Sequence, residues 1–170
     1  MTRVCLVGTA ETNLQYELLS RETAREALAA YDLQQPFHNS IAVDTVSLGG
    51  AVSLLNDLNW YLIRFVDTAL VNEPSISETE WLSRDLATGI RTDRIDPAES
   101  ERFLKVYGLE QPTEPDDETD ISDTHFSNQR LPRLVEPMLV TRTGGKIPEY
   151  DLRDVEETLV VRVTRAEFGA

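Results

Sequence analysis

Lysine is almost missing from this 170-residue chain. Lys105 and Lys146 are the only two, so arginine supplies fourteen of the sixteen basic residues, set against thirty carboxylates and a formal charge of −14. Cysteine is scarcer still: Cys5 stands alone, which excludes an intrachain disulfide. Histidine is limited to His38 and His125, which restricts the general bases open to a nucleophile. Apolar runs are short. The longest, around Trp60 to Leu70, is interrupted by Arg64 and Asp67, well below the ~18 residues of a membrane span. The opening Met1-Thr2-Arg3-Val4 starts no signal-peptide core of about 7–15 apolar residues. A cytoplasmic protein with no membrane partner is expected.

Phosphate-loop fingerprints are missing as well. Gly8-Thr9 follows the first apolar run, where a nucleotide-binding turn would lie, but no G-x-G-x-x-G or G-x-x-x-x-G-K-[ST] accompanies it. The acidic run Asp116, Asp117, Glu118, Asp120, Asp123 lacks the glycine and final glutamate of a calcium loop. No cofactor and no metal site is expected.

What is present is a 41% hydrophobic fraction, enough for one core, on a chain long enough to bury roughly 70% of its unfolded surface. Excess carboxylate with scarce lysine is a composition suited to high salt. In dilute buffer such a surface repels itself; at about 1 M salt the Debye length falls to about 3 Å and the repulsion is screened.

The pattern predicts an α+β fold: a mixed, partly antiparallel sheet of about four or five strands with helices packed on it. Strands are expected at Arg3 to Gly8 and Ile41 to Val46, and a half-exposed one at Leu14 to Leu18, a stretch that could equally start a helix. Ser20 can cap a helix to about Tyr31. Val52, Leu55, Leu58, Leu62, Phe65, Val66 and Ala69 recur at helical spacing, which predicts one long central helix near 50–71. Ser77-Glu78-Thr79-Glu80 has the form of a capping box for a helix to Gly89, and Asp96-Pro97 of a cap for a second helix to Gly108. The stretch 110–132, dense in like charge, reads as a disordered acidic insert. Leu134 to Thr141 and Thr158 to Thr164 read as a C-terminal, hairpin-like strand pair within 134–168, joining the N-terminal sheet. The whole chain, 1–170, is expected to form a single domain.

No catalytic constellation emerges. Cys5 lies in an apolar strand, where a thiol is usually an unreactive small hydrophobe; a Cys5–His38 dyad would lack a third group. Trp60, Tyr61 and Arg64 form the leading interaction candidate, since aromatics with arginine are enriched at interface centres; the plainer outcome has Trp60 capping the core and Arg64 reaching solvent. His38, Asp44 and Arg64 are the candidates for a small-molecule site, Asp44 because it lies on a strand followed by the Gly49-Gly50 turn. Gly144-Gly145-Lys146 could be an anion-contacting turn, though a plain loop explains it. Arg84, Arg91, Arg94 and Arg102 are interleaved with Asp85, Asp93, Asp96, Glu99 and Glu101, so binding to nucleic acid is not expected.

Three stretches carry a resemblance: Tyr16 to Glu26, Glu78 to Leu86, and Phe103 to Gly108. On these the chain resembles a small uncharacterised protein family of halophilic archaea. The resemblance implies a lineage and brings no activity, cofactor or site residue with it. The function expected is a non-enzymatic interaction or regulatory module, as a homodimer or with a protein partner. The rivals are a small-molecule binder or enzyme built on scattered polar residues, and a transcription regulator.

Overall fold

The computed structural model describes residues 1–110, 131–141 and 157–169. The acidic stretch 111–130, His125 and Gly144-Gly145-Lys146 lie outside the described residues. The described strands are β1 (Thr2–Gly8), β2 (Ser40–Thr45), β3 (Val66–Asn72), β4 (Trp81–Ser83), β5 (Phe103–Glu110), β6 (Arg133–Thr141) and β7 (Glu157–Arg162). They form one seven-stranded mixed sheet in the order β2-β1-β3-β4-β7-β5-β6. The helices are α1 (Leu14–Leu19), α2 (Glu22–Leu28), α3 (Leu48–Asp57), α4 (Asn59–Phe65), α5 (Arg84–Arg91) and α6 (Arg165–Phe168), with one 3-10 turn at Pro97–Glu99.

The α+β class stands, but the sheet is larger than four or five strands and no single long helix exists. The predicted helix over 50–71 divides into α3, α4 and β3. The chain leaves helical geometry at Leu58, beside Asn56, Asp57 and Asn59, which hold a helix poorly. From Val66 onward a period of two takes over: Leu70 faces one side and Val71 the other, both fully buried.

The two later caps are real turns on the wrong element. Ser77 Oγ accepts from the Glu80 amide at 3.0 Å, yet the chain then enters β4, and α5 starts from Ser83, whose Oγ accepts from Leu86 N at 3.1 Å. Asp96 Oδ1 accepts from Ala98 N at 2.9 Å, but only one 3-10 turn follows before β5. Phe103, Lys105 and Tyr107 alternate with the buried Leu104 and Val106, so the segment read as a helix to Gly108 is a strand. Leu14–Leu19 resolves as a helix, capped by Asn13 Oδ1 on Tyr16 N at 3.0 Å. The C-terminal strands do not pair as a hairpin: β5 lies between β6 and β7 and is antiparallel to both.

Alternation along the strands builds two large cores and a small third one of Leu104, Val106 and Val140. Val4, Leu6, Ile41, Val43, Val71 and Leu82 point to the helix-covered face and pack against α1 to α5. Cys5, Ala42, Leu70, Tyr107, Leu159 and Val161 point to the other face and meet one another. Strands far apart in sheet order therefore share one interior, which requires the sheet to curl. Its two ends touch where the His38 amide donates to Pro132 O at 2.9 Å. The edge strand β6 carries Pro137 in the stretch where its register against β5 slips, which is where a sheet tolerates proline.

Candidate functional site

Among the described residues the curl leaves an opening beside β4. Strand β4 is three residues long and pairs with β3 only at Leu70 and Val71 before the chain turns away into α5. Below that point β3 and β7 diverge, and Val66–Ala69 has no strand partner on the β4 side among the described residues. A cleft of about 240 Å³ occupies the gap, roofed by α4 and bordered by α6. Leu62, Ile63, Val66, Val161 and Val163 supply its apolar wall.

The polar wall comes from four elements. Lys105 and Tyr107 project from β5 and Thr68 from β3, with Tyr107 Oη 3.4 Å from Thr68 Oγ1 across the curl. Ser83 Oγ donates to Glu167 Oε1 at 2.6 Å, which also accepts from the Thr164 amide at 2.9 Å, so this carboxylate is spent on locking α6 to β4. Arg84 is held by Asn59 Oδ1 at 2.8 Å and Asn56 Oδ1 at 3.3 Å. Among the described residues, Lys105 and Asp85 have no ion-pair partner. Sequence reasoning missed this cleft because it took 97–107 for a helix; the available signal was that one of two lysines sits in an alternating apolar segment.

The α4 helix presents a second feature on its outer side. Tyr61 and Leu62 are buried, while Trp60 is 47% and Ile63 70% exposed. Arg64 Cζ lies 3.8 Å from the Trp60 ring centroid, and Arg21 Cζ lies 5.7 Å from it and 5.1 Å from Phe65. Arg21 is in turn paired with Glu17 at 3.2 Å. Trp60 thus has two guanidinium groups within about 6 Å of its ring, with the Tyr61 and Phe65 rings edge-on to it.

The three small-molecule candidates are not brought together by any hydrogen bond or ion pair among the described residues. Asp44 closes β2 on Arg3, 2.9 Å from Nε and 3.5 Å from Nη2. The hydrogen bond to Asp44, followed by the charge of that carboxylate, outweighs burial and raises the Arg3 pKa. His38 is exposed at the other end of β2, where burial and then the nearby Arg133 charge lower its pKa. Arg64 is engaged on α4 with Trp60.

Cys5 is buried, and burial pushes its thiol up to about 12, so it carries no nucleophile at neutral pH. The Gly8-Thr9 turn has its amides occupied: Gly8 N donates to Asn39 O and Thr9 N to Phe65 O, and a Cβ on Gly8 would lie 2.7 Å from Asn39 Nδ2. This turn packs against a side chain and has no room for a phosphate.

No helix among the described residues is long and apolar enough to cross a membrane, and no group of three or more metal-ligating side chains occurs among them. No curated protein and no solved structure matches the chain. A family model matches residues 2–109, from β1 to β5, and its description assigns no activity. Spanning more than half of the sequence, that match places the chain in the Family of unknown function (DUF5804).

Proposed function

We propose that the protein is a non-enzymatic interaction module that pairs with a second copy of itself through the outer face of α4. One observation carries this reading: Trp60 and Ile63, one helical turn apart, are exposed side by side, and Trp60 is braced by Arg64 and Arg21. Aromatic and arginine side chains dominate the energetic centres of interfaces. Arg64 on α4 and Asp67, the second residue of β3, are both exposed beside this face, so a two-fold axis passing between them would set each against its opposite on the other copy.

The thirty carboxylates and two lysines support a salt-rich cytoplasm of a halophilic organism as the setting, with the whole chain acting as one domain and its acidic stretch as a solvated insert. Two chains of charge −14 repel each other in dilute buffer, so pairing is expected in about 2 M KCl and is expected to weaken as salt is removed. Light scattering coupled to size exclusion tests this directly. A dimer in high salt that becomes a monomer in the Trp60→Ala/Ile63→Glu variant supports the proposal. A wild-type monomer in high salt, or a dimer unaffected by that variant, overturns it.

A further inference from the structure

We infer that the cleft beneath β4 is a binding site for a small zwitterion, namely a free aliphatic amino acid. The cleft shares Ile63 and Asp67 with the pairing face on α4, so the two readings are told apart at Lys105, which lines the cleft from β5 and has no part in that face.

Size comes first. A cleft of about 240 Å³ falls below the roughly 300–1,000 Å³ of sites for drug-sized ligands, and suits a molecule of amino-acid dimensions. Its walls then separate by chemistry. One is aliphatic, made by Leu62, Val66, Val161 and Val163, and can take a branched side chain out of water.

The inner polar wall consists of donors. Lys105 is half-buried without an ion-pair partner among the described residues, in a chain where lysine is otherwise almost unused. Water still reaches that ammonium, and an anion that joined it would gain a charge-assisted hydrogen bond. Tyr107 Oη lies 3.4 Å from Thr68 Oγ1, which also donates to Asp67 Oδ2 at 3.4 Å; at such distances both hydroxyls are weakly engaged and each can turn to a carboxylate beside Lys105.

Among the described residues the outer rim is acidic on balance, with Arg84 the one cation set among three carboxylates. Asp67 and Asp85 are exposed there, and the third carboxylate, Glu167, is already engaged with Ser83 and Thr164. Lys105 and the hydroxyls inside, a rim acidic on balance despite Arg84, which Asn56 and Asn59 hold, and aliphatic groups between match a ligand with its carboxylate inward and its ammonium outward. A simple anion would meet the rim acids unfavourably; a simple amine would meet Lys105.

Isothermal titration calorimetry on the full chain, in about 2 M KCl to screen the net charge, reads the site with three probes of similar apolar body. These are leucine, 4-methylpentanoate (acid only) and isoamylamine (amine only). Leucine is expected to bind saturably, and each single-charge probe at least about tenfold more weakly, the equivalent of one charge-assisted hydrogen bond. Lys105→Met should weaken leucine by at least about tenfold.

Asp67→Asn, an exposed change that cannot disturb the core, should weaken leucine while leaving 4-methylpentanoate as it was. Absence of saturable leucine binding up to about 10 mM overturns the site. Equal binding of leucine and 4-methylpentanoate, or a Lys105→Met variant that is folded by circular dichroism and binds like wild type, overturns the assignment of Lys105 and the rim acids.

Discussion

Two arginine–carboxylate clamps sit in the sheet under different conditions. Arg162, on β7, faces the outer side of the curl with only 9% of its side chain exposed. Its Nε donates to Glu80 Oε1 at 2.7 Å and its Nη1 to Ser100 Oγ at 3.1 Å, with Glu101 3.9 Å away. It ties β7 to the turn before β4 and to the 3-10 turn before β5. Arg3 and Asp44 join β1 to β2 near the opposite end of the sheet, with 40% and 37% of their side chains exposed. Water and salt reach the second pair and are largely kept from the first. The same two functional groups should therefore act as a structural fastener in one place and as little more than a surface contact in the other.

The largest effect expected from this contrast follows the loss of the inner guanidinium. Arg162→Met removes a guanidinium that is nine-tenths buried together with its bonds to Glu80 and Ser100, a loss of charge-assisted hydrogen bonds that costs about 1.5–3 kcal/mol. Urea denaturation should show it, and Arg162→Met/Glu80→Leu, which removes both charges, should recover a large part. Cys5 offers a second readout. Burial pushes its thiol up to about 12, with the Arg3 charge opposing only weakly, so the folded protein should not react with iodoacetamide at pH 8. Labelling should then report opening of the fold and run faster in Arg162→Met than in wild type. Equal labelling rates in the two proteins would mean that the inner clamp does not hold the sheet.

Acid offers a smaller perturbation. Burial raises the Glu73 pKa, but hydrogen bonds from Thr2 Oγ1 and from the Ser75 amide and hydroxyl outweigh it and hold the carboxyl below its ordinary value. A carboxyl lowered in the folded state stabilises above its unfolded pKa, and that contribution is lost as pH falls through the folded value. His38 is also lowered, by burial and then by Arg133, so below about 6.5 the unfolded chain takes up its proton first. Both groups make stability fall on acidification, His38 first and Glu73 lower down. Melting temperature against pH should decline less steeply below pH 6.5 in His38→Gln, and less steeply below about 4.5 in Glu73→Gln. A slope unchanged in both variants would place the acid sensitivity elsewhere.

These contacts also show what could be read from sequence. The β-branched runs Arg3 to Gly8 and Ile41 to Val46 identify β1 and β2 because each is bounded by turn residues and buried on both faces. The segment 50–71 does not reveal its change from helix to strand, because Leu62, Phe65, Val66 and Ala69 satisfy the helical period whether or not the chain remains helical. What decides is the slot between β1 and β4 that only an extended strand can fill, a tertiary fact.

The cleft was hidden for the same reason. Lys105, Tyr107 and Thr68 become neighbours only when the sheet curls, and no spacing along the chain records that. Trp60 and Arg64, by contrast, were legible as a pair because four residues separate them on a helix that does form.

The smallest effect belongs to the outer clamp, and it decides whether exposure is the right variable. A double-mutant cycle on Arg3→Met and Asp44→Asn should return a coupling of about 0.2–1 kcal/mol at about 0.1 M salt. The pair is bidentate, which favours the upper part of that range, but more than a third of each side chain meets water, which limits it. At about 2 M KCl the coupling should fall toward zero, because the Debye length is then shorter than the contact itself. The Arg162–Glu80 cycle, shielded from ions, should keep most of its coupling at the same salt. For a chain of charge −14 this gives a specific consequence: raising salt removes the repulsion among surface carboxylates and erases the outer clamp, yet leaves the inner one intact. Net stability should therefore rise with salt in wild type by less than in the Arg3→Met variant, the difference being the coupling of about 0.2–1 kcal/mol that salt removes. If the Arg3–Asp44 coupling instead survives at about 2 M, close geometry rather than burial governs both clamps, and the contrast between them disappears.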